Sequence, residues 1–323
     1  MTHPMSDDDH LLQTELSRRT LLKYSMASLA GYTFGCAQSP PTTKAQSVRA
    51  SPASAQKCKQ SSTPPLFCIA YIDPDIPSQA NQEPMVARYP LALVPQDRRR
   101  NHALWRDRIK TLNPCIIMLG YQLVIDETTV PGPGHDRLRL AKESWCIYPN
   151  GHVPRIPPKS FRVYDPRKVE WQDAFLDACR ITLESYPYDG LFLDDCTVFD
   201  IAHPSPTVRA EMREGLQATL LRLRKEFPNA ILVGNASENW KGLNGELNEG
   251  RPEQMLKEIA PYSGHVLPAM DLYHTILDKP SDVERVRREM ALAHSQGAYY
   301  SAAVDMQHVL WFDVFDKVMA MHK

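Results

Sequence analysis

The sequence predicts an α/β fold in which residues 66–323 close into a single (β/α)8, or TIM, barrel. Short apolar runs alternate with longer amphipathic stretches, strand then helix, and that order calls for parallel strands joined by helical crossovers. The alternation repeats eight times over a length close to the roughly 250 residues of such barrels. No Gly-x-Gly-x-x-Gly stretch supports the runner-up, an open doubly wound sheet.

The first strand, 66–72, reads Leu-Phe-Cys-Ile-Ala-Tyr-Ile, an unbroken apolar run of the kind buried on both faces of a parallel sheet. The next two are 89–94 and 115–121, separated by an amphipathic helix at 101–112. A stretch rich in Gly and Pro, 126–160, suits a loop over the barrel mouth. A helix at 169–185 then leads into strand four, 190–193, and a helix at 207–227 into strand five, 230–234. Strand six is expected at 245–248, a helix at 252–259, strand seven at 265–270, a helix at 281–295, strand eight at 298–304 and a last helix at 309–321.

Residues 1–37 read as targeting. Ser17-Arg18-Arg19-Thr20-Leu21-Leu22-Lys23 and the apolar run after it match a twin-arginine export signal, too short to remain as a spanning helix. Cys36 stands where a lipoprotein cysteine would be acylated, giving a lipid anchor, and Gly35-Cys36-Ala37 equally suits ordinary cleavage. Residues 38–65, rich in Ser, Pro, Ala, Gln and Thr, are expected to form a disordered linker. The chain is thus expected to be exported, to the periplasm, the cell exterior or a membrane surface.

With 37 basic and 38 acidic residues, and its Arg clusters beside acids as on solvated helix faces, the chain carries no nucleic-acid signature. Its seven cysteines include no Cys-x-x-Cys pair and are too scattered for a disulfide scaffold; Cys68 and Cys115 read as buried thiols. Cys196, beside an acid pair, is the one to watch. A monomer without cofactor is expected.

Chemistry concentrates at "DGLFLDD", residues 189–195, where a short apolar strand runs into two carboxylates. In a (β/α)8 barrel reacting groups sit where strands end, so Asp194 would line the mouth at the end of strand four. "NGELNEG" repeats the pattern: Glu249, like Asp194, follows a Gly by four positions. Two carboxylates facing each other across a mouth, one ionised and one protonated, are what glycosidic cleavage needs. Taken singly, Asp194 caps a loop and Glu249 favours the dipole of the next helix.

The stretch "VYDPRKVEWQDAFLDACRITLESYPYDGLFLDD" resembles secreted glycoside hydrolases of the endo-α-1,4-polygalactosaminidase kind and related barrel families. "NGELNEG" is similar to their later Gly-x-x-x-Glu strand and "HVLPAMDLYH" to the one after it; the strand-four motif is the specific part. The resemblance implies Asp194 as nucleophile and Glu249 as acid/base, acting on a poly- or oligosaccharide. It further implies Asp195, Asp271 and Tyr273 as holders of sugar hydroxyls, with Asn235 orienting substrate or an acid. Asp73 and Tyr121, at the ends of strands one and three, are further substrate-binding candidates, although Asp73-Pro74-Asp75 and Gly120-Tyr121-Gln122 depart from the acidic endings such families lead one to expect. Trp240 and Trp145 are candidate sugar-stacking platforms, with plain packing as the alternative.

Two other functions remain open. Asp271 with His274, Asp305 with His308, and nearby His265 would supply ligands for a metal-dependent hydrolase. An inactive barrel that only binds polysaccharide is the other.

Overall fold

Eight strands follow one another in chain order, each hydrogen-bonded in parallel to the next: β1 Phe67–Ile69, β2 Leu91–Val94, β3 Ile117–Leu123, β4 Gly190–Asp194, β5 Ile231–Asn235, β6 Gly245–Glu249, β7 Leu272–Ile276 and β8 Tyr299–Ala303. Leu66 pairs in parallel with Tyr300, which brings the last strand back to the first and closes the barrel. The structure is a computed structural model and describes residues 66–97, 99–125, 132–140, 143–147, 163–198, 205–235, 239–249, 266, 268–305 and 307–320. The export signal, the linker, the helix expected at 252–259 and His265 lie outside the described residues.

Period-two alternation sorts the side chains. Phe67, Leu91, Leu119, Phe192, Val233, Leu247 and Leu272 form the barrel's interior cluster. Their neighbours in sequence, such as Cys68, Ala92, Met118, Leu191 and Leu232, point outward into two clusters shared with the helices. The covering helices are α1 Glu83–Val86, α2 Arg100–Leu112, α3 Pro133–Leu138, α4 Val169–Ser185, α5 Pro206–Glu226, α6 Val283–Ser295 and α7 Asp313–Ala320. In α4, Trp171, Phe175, Ala178 and Thr182 recur at helical spacing and are buried, with the Trp171 and Phe175 rings stacked at 5.4 Å. Ser205 starts α5, its hydroxyl accepting the Val208 N–H ahead of Pro206 in the first turn.

The glycines of the two Gly-x-x-x-acid strands have a steric reason. A Cβ on Gly190 would lie 1.8 Å from the Ile231 carbonyl oxygen, and one on Gly245 2.1 Å from that of Met270. Each glycine lets the next chain segment pass against the start of its strand. Because the acid follows at an even spacing, it faces the same side of the sheet as the glycine, toward the barrel axis.

The strand order agrees with the sequence expectation, with four differences, the first being the short α1, Glu83–Val86, between β1 and β2, where no helix was expected. β7 begins at Leu272, after the run 265–270 expected to form it. Polar His274 and Thr275 interrupt the apolar pattern of the true strand, so the greasier preceding stretch reads as the better candidate. The segment 126–160 contains α3 and a 3-10 turn, Glu143–Trp145. Leu138 of α3 joins the helix-side core, and its carbonyl accepts from the Tyr164 hydroxyl at 3.1 Å. Cys115 is exposed and disulfide-bonded, its partner outside the described residues, whereas Cys68 is a buried free thiol as expected.

Candidate active site

Asp194 is the last residue of β4 and 6% exposed. Three donors converge on it: the Tyr121 hydroxyl to Oδ2 at 2.7 Å, and to Oδ1 the Asn235 Nδ2 at 2.7 Å and the Asp195 backbone N–H at 2.9 Å. Donors stabilise a carboxylate over a carboxylic acid. Burial, then the Asp194 charge, push the Tyr121 hydroxyl well above its ordinary value, so it stays protonated and donates. Asn235 ends β5. From there its amide fixes the orientation of the Asp194 carboxylate. Asp195 is half-buried and leaves the strand at φ +48°, a left-handed conformation that costs a non-glycine residue about 1–2 kcal/mol and clusters at functional sites.

Glu249 ends β6 two residues beyond Leu247 of the barrel interior, on the same face, and is half-buried. Of the pair, Asp194 is the more enclosed and Glu249, the acid/base candidate, the less. The reason is the wall: Tyr121 and Asn235, from β3 and β5, flank Asp194 on both sides.

One interior residue that the charges of both acids reach was passed over in the sequence reading. Tyr71, just beyond β1, belongs to the interior cluster, and its ring meets that of Tyr121 edge-on at 5.2 Å. Burial, then the charges of Asp194 and Glu249, raise its hydroxyl well above the ordinary value. Both carboxylates thus act on one phenol at the same end of the barrel. The signal was available: Phe67, Ile69 and Tyr71 alternate on one face, and the last of an inward series at a strand's carboxyl end lines the mouth.

Asp73 is held in an ionic cluster beyond β1. Its carboxylate meets Arg99 Nη2 at 2.9 Å and His102 Nε2 at 3.2 Å, while Arg99 also bridges Asp75 and Asp97. Arg99 is therefore engaged with three acids, in place of the solvated helix face its sequence neighbourhood suggests. Burial opposes ionisation of Asp73, but the Arg99 bond, the Asp75 N–H and the charges of Arg99 and His102 hold its carboxyl below the usual range. Asp73, Asp75 and His102 bring potential metal-ligand atoms within 4.8 Å of one another, yet Arg99 Nη2 lies 2.8 Å from His102 Nε2, so the position already holds a cation.

Several candidates fall elsewhere. Asp271 precedes β7 at the amino end of the barrel, where its Oδ1 accepts the Glu246 N–H at 3.2 Å; a carboxylate there cannot meet a sugar at the mouth. Tyr273 faces outward into the helix-side core. Trp240 is fully buried, its Nε1–H bonded to the Cys196 carbonyl at 2.7 Å and Arg213 over its ring, so it is packing. Trp145 is half-buried against the same helix-side core. Cys196 is a buried cysteine outside any disulfide, in that core. His274 lies in the barrel wall, its Nδ1 3.2 Å from the Ser301 hydroxyl and its imidazole pushed down to about 4 by burial, away from Asp271. Asp305 and His308 pair with each other on the exposed surface beyond β8. The two Asp-x-x-His pairs do not assemble into one site.

No protein-family model and no curated protein matches the chain. Among solved structures, the fold is similar to the glycoside hydrolase domain of PelA from Pseudomonas aeruginosa, with a TM-score of 0.53 and 13% identity over 75% of this chain and 96% of that one. It is also similar to the GH36 alpha-galactosidase AgaA from Geobacillus stearothermophilus, with a TM-score of 0.52 and 12% identity over 81% of this chain and 42% of that one. An alpha-galactosidase from Lactobacillus brevis gives a TM-score of 0.52 and 12% identity over 80% of this chain and 39% of that one. At such identities the likeness is one of fold, and it agrees with the closed parallel barrel.

Proposed function

We propose that the chain is an exported glycoside hydrolase that cleaves a poly- or oligosaccharide with Asp194 and Glu249. The observation that carries this reading is the pair itself: two inward carboxylates ending β4 and β6, one braced as an anion by three donors, and both acting on Tyr71. The fold it shares with glycoside hydrolases supports the same reading by analogy.

Glu249, more open to solvent, gives its proton to the glycosidic oxygen as the bond to the sugar carbon breaks. Asp194 supplies the opposing charge. If it attacks the carbon directly, a covalent glycosyl ester forms, and water, deprotonated by Glu249, then releases the sugar and restores both groups. If a water lies between, Asp194 removes its proton as it attacks, and the sugar is released in one inverting step. In both routes Asp194 must start ionised, which its donors favour. Asp195 borders the same mouth and is assigned to substrate hydroxyls.

Export is supported by the Cys115 disulfide, since such bonds persist in oxidising compartments. Residues 1–37 serve as the twin-arginine signal, with Cys36 either removed or acylated as an anchor, and the barrel works as a monomer. Changing Arg18 and Arg19 together to Lys should retain the protein in the cytoplasm; continued export would refute the targeting assignment. The function is tested by Asp194→Asn, which should lose turnover of a polysaccharide while still binding it. A wild-type protein that binds polysaccharide with no turnover is instead a binding barrel.

A further inference from the structure

The Tyr71 hydroxyl stands apart from the other phenol of the mouth. Tyr121 gives its proton to Asp194 at 2.7 Å. Tyr71 is 7% exposed and packs edge-on against Tyr121, yet among the described residues its hydroxyl makes no hydrogen bond. The ring is enclosed but its hydroxyl is not among the buried polar atoms left without a partner, so it meets solvent at the mouth, where a ligand oxygen can take the place of water. Burial, and after it the charges of Asp194 and Glu249, keep this phenol protonated, so it is a neutral donor beside two acids. A sugar that presents its reacting carbon to those acids must bring its oxygens to the same place.

We propose that Tyr71 is a substrate-contacting residue, donating its hydroxyl hydrogen to the glycosidic oxygen that departs from the reacting carbon. This rests on the hydrolase reading above. Partial negative charge gathers on the departing glycosidic oxygen as its bond to the reacting carbon lengthens, so a donor to that oxygen, fixed by the packing of Tyr121, strengthens in the transition state more than in the bound ground state. The contact therefore acts on kcat more than on KM.

Tyr71→Phe removes the oxygen and keeps the ring packing. New reducing ends are measured with a mixture of chitosan-derived and galactan-derived oligosaccharides, for wild type, Tyr71→Phe and Asp194→Asn, with thermal melts of each. We expect Tyr71→Phe to lower kcat roughly 10- to 100-fold, the equivalent of one strong hydrogen bond, with KM changed by less than about threefold. Its melting temperature should be unchanged or higher, because no protein hydrogen bond is lost. Unchanged kcat in Tyr71→Phe, with Asp194→Asn inactive, would overturn the Tyr71 assignment and leave the hydrolase reading standing. A lower melting temperature with normal kcat in the folded fraction would make the hydroxyl structural and overturn it as well. No reducing ends from wild type would overturn both.

Discussion

The Tyr121 hydroxyl, reaching from β3, donates a 2.7 Å hydrogen bond to Oδ2 of Asp194 at the end of β4. With Asn235 on the opposite side it fixes the carboxylate's orientation and favours its charge. Loss of one donor to an ionised acid makes protonation easier.

Tyr121→Phe should therefore fold and retain activity at neutral pH, while the acidic limb of its pH–rate profile moves up by about one unit, as expected for one charge-assisted bond. A profile superimposable on wild type would mean that Tyr121 does not support the ionised form of Asp194.

The barrel wall gives a second test. Leu191 and Phe192 are 0% and 1% exposed and point to opposite sides of β4, into the helix-side core and the barrel interior. Leu191→Asp and Phe192→Asp each bury an unpaired charge, and neither variant should fold. Gly245→Ala should fail too, because its Cβ would strike the Met270 carbonyl. Soluble, cooperatively melting forms of both Asp variants would contradict the placement of β4.

What was legible in the sequence followed from steric and periodic rules. Gly190 and Gly245 admit a neighbouring backbone, and the acids four positions on inherit their inward direction, so Asp194 and Glu249 were readable as a pair. Asp271 was misplaced because His274 and Thr275 are polar residues inside a strand: Thr275 bonds the buried Glu289, and His274 meets Ser301. Those partners lie 14 and 27 residues away, beyond any local pattern. Trp240 looked like a platform because nothing in its neighbourhood announces the Cys196 carbonyl and Arg213 that enclose it. Tyr71 was hidden in a run that reads simply as core, since its significance depends on acids from strands four and six.

The ionic cluster beyond β1 sets a pH dependence. The folded Asp73 carboxyl titrates below its ordinary value, whereas an unfolded Asp titrates at about 3.9. The unfolded chain thus takes up the proton first as pH falls. The stabilisation is complete above the unfolded value and is lost as pH drops through the lower folded one. Asp73→Asn should be less stable than wild type at pH 7, by roughly 1–3 kcal/mol. The difference should shrink below about pH 4. A constant difference from neutral pH down to about pH 3 would contradict the assignment.

Cys115 offers a simpler measurement. Its disulfide constrains the unfolded chain, so Cys115→Ser, or reduction of the wild type, should lower stability by about 2–4 kcal/mol. Equal melting temperatures with and without reductant would show that the bond contributes nothing to the fold.

The paired-carboxylate claim is tested most directly by varying the leaving group. Glu249, as acid, matters when the departing oxygen needs a proton, and matters little when an aryl glycoside leaves as a stable phenolate; Asp194 matters in both cases. Hydrolysis rates of wild type, Asp194→Asn and Glu249→Gln are compared on an oligosaccharide and on the dinitrophenyl glycoside of the same sugar. The expected result is that Asp194→Asn loses both activities, while Glu249→Gln loses the oligosaccharide activity and keeps most of its rate for bond cleavage on the aryl substrate. Equal losses for Glu249→Gln on the two substrates, or an Asp194→Asn variant as active as wild type on either, would contradict the roles given to the pair.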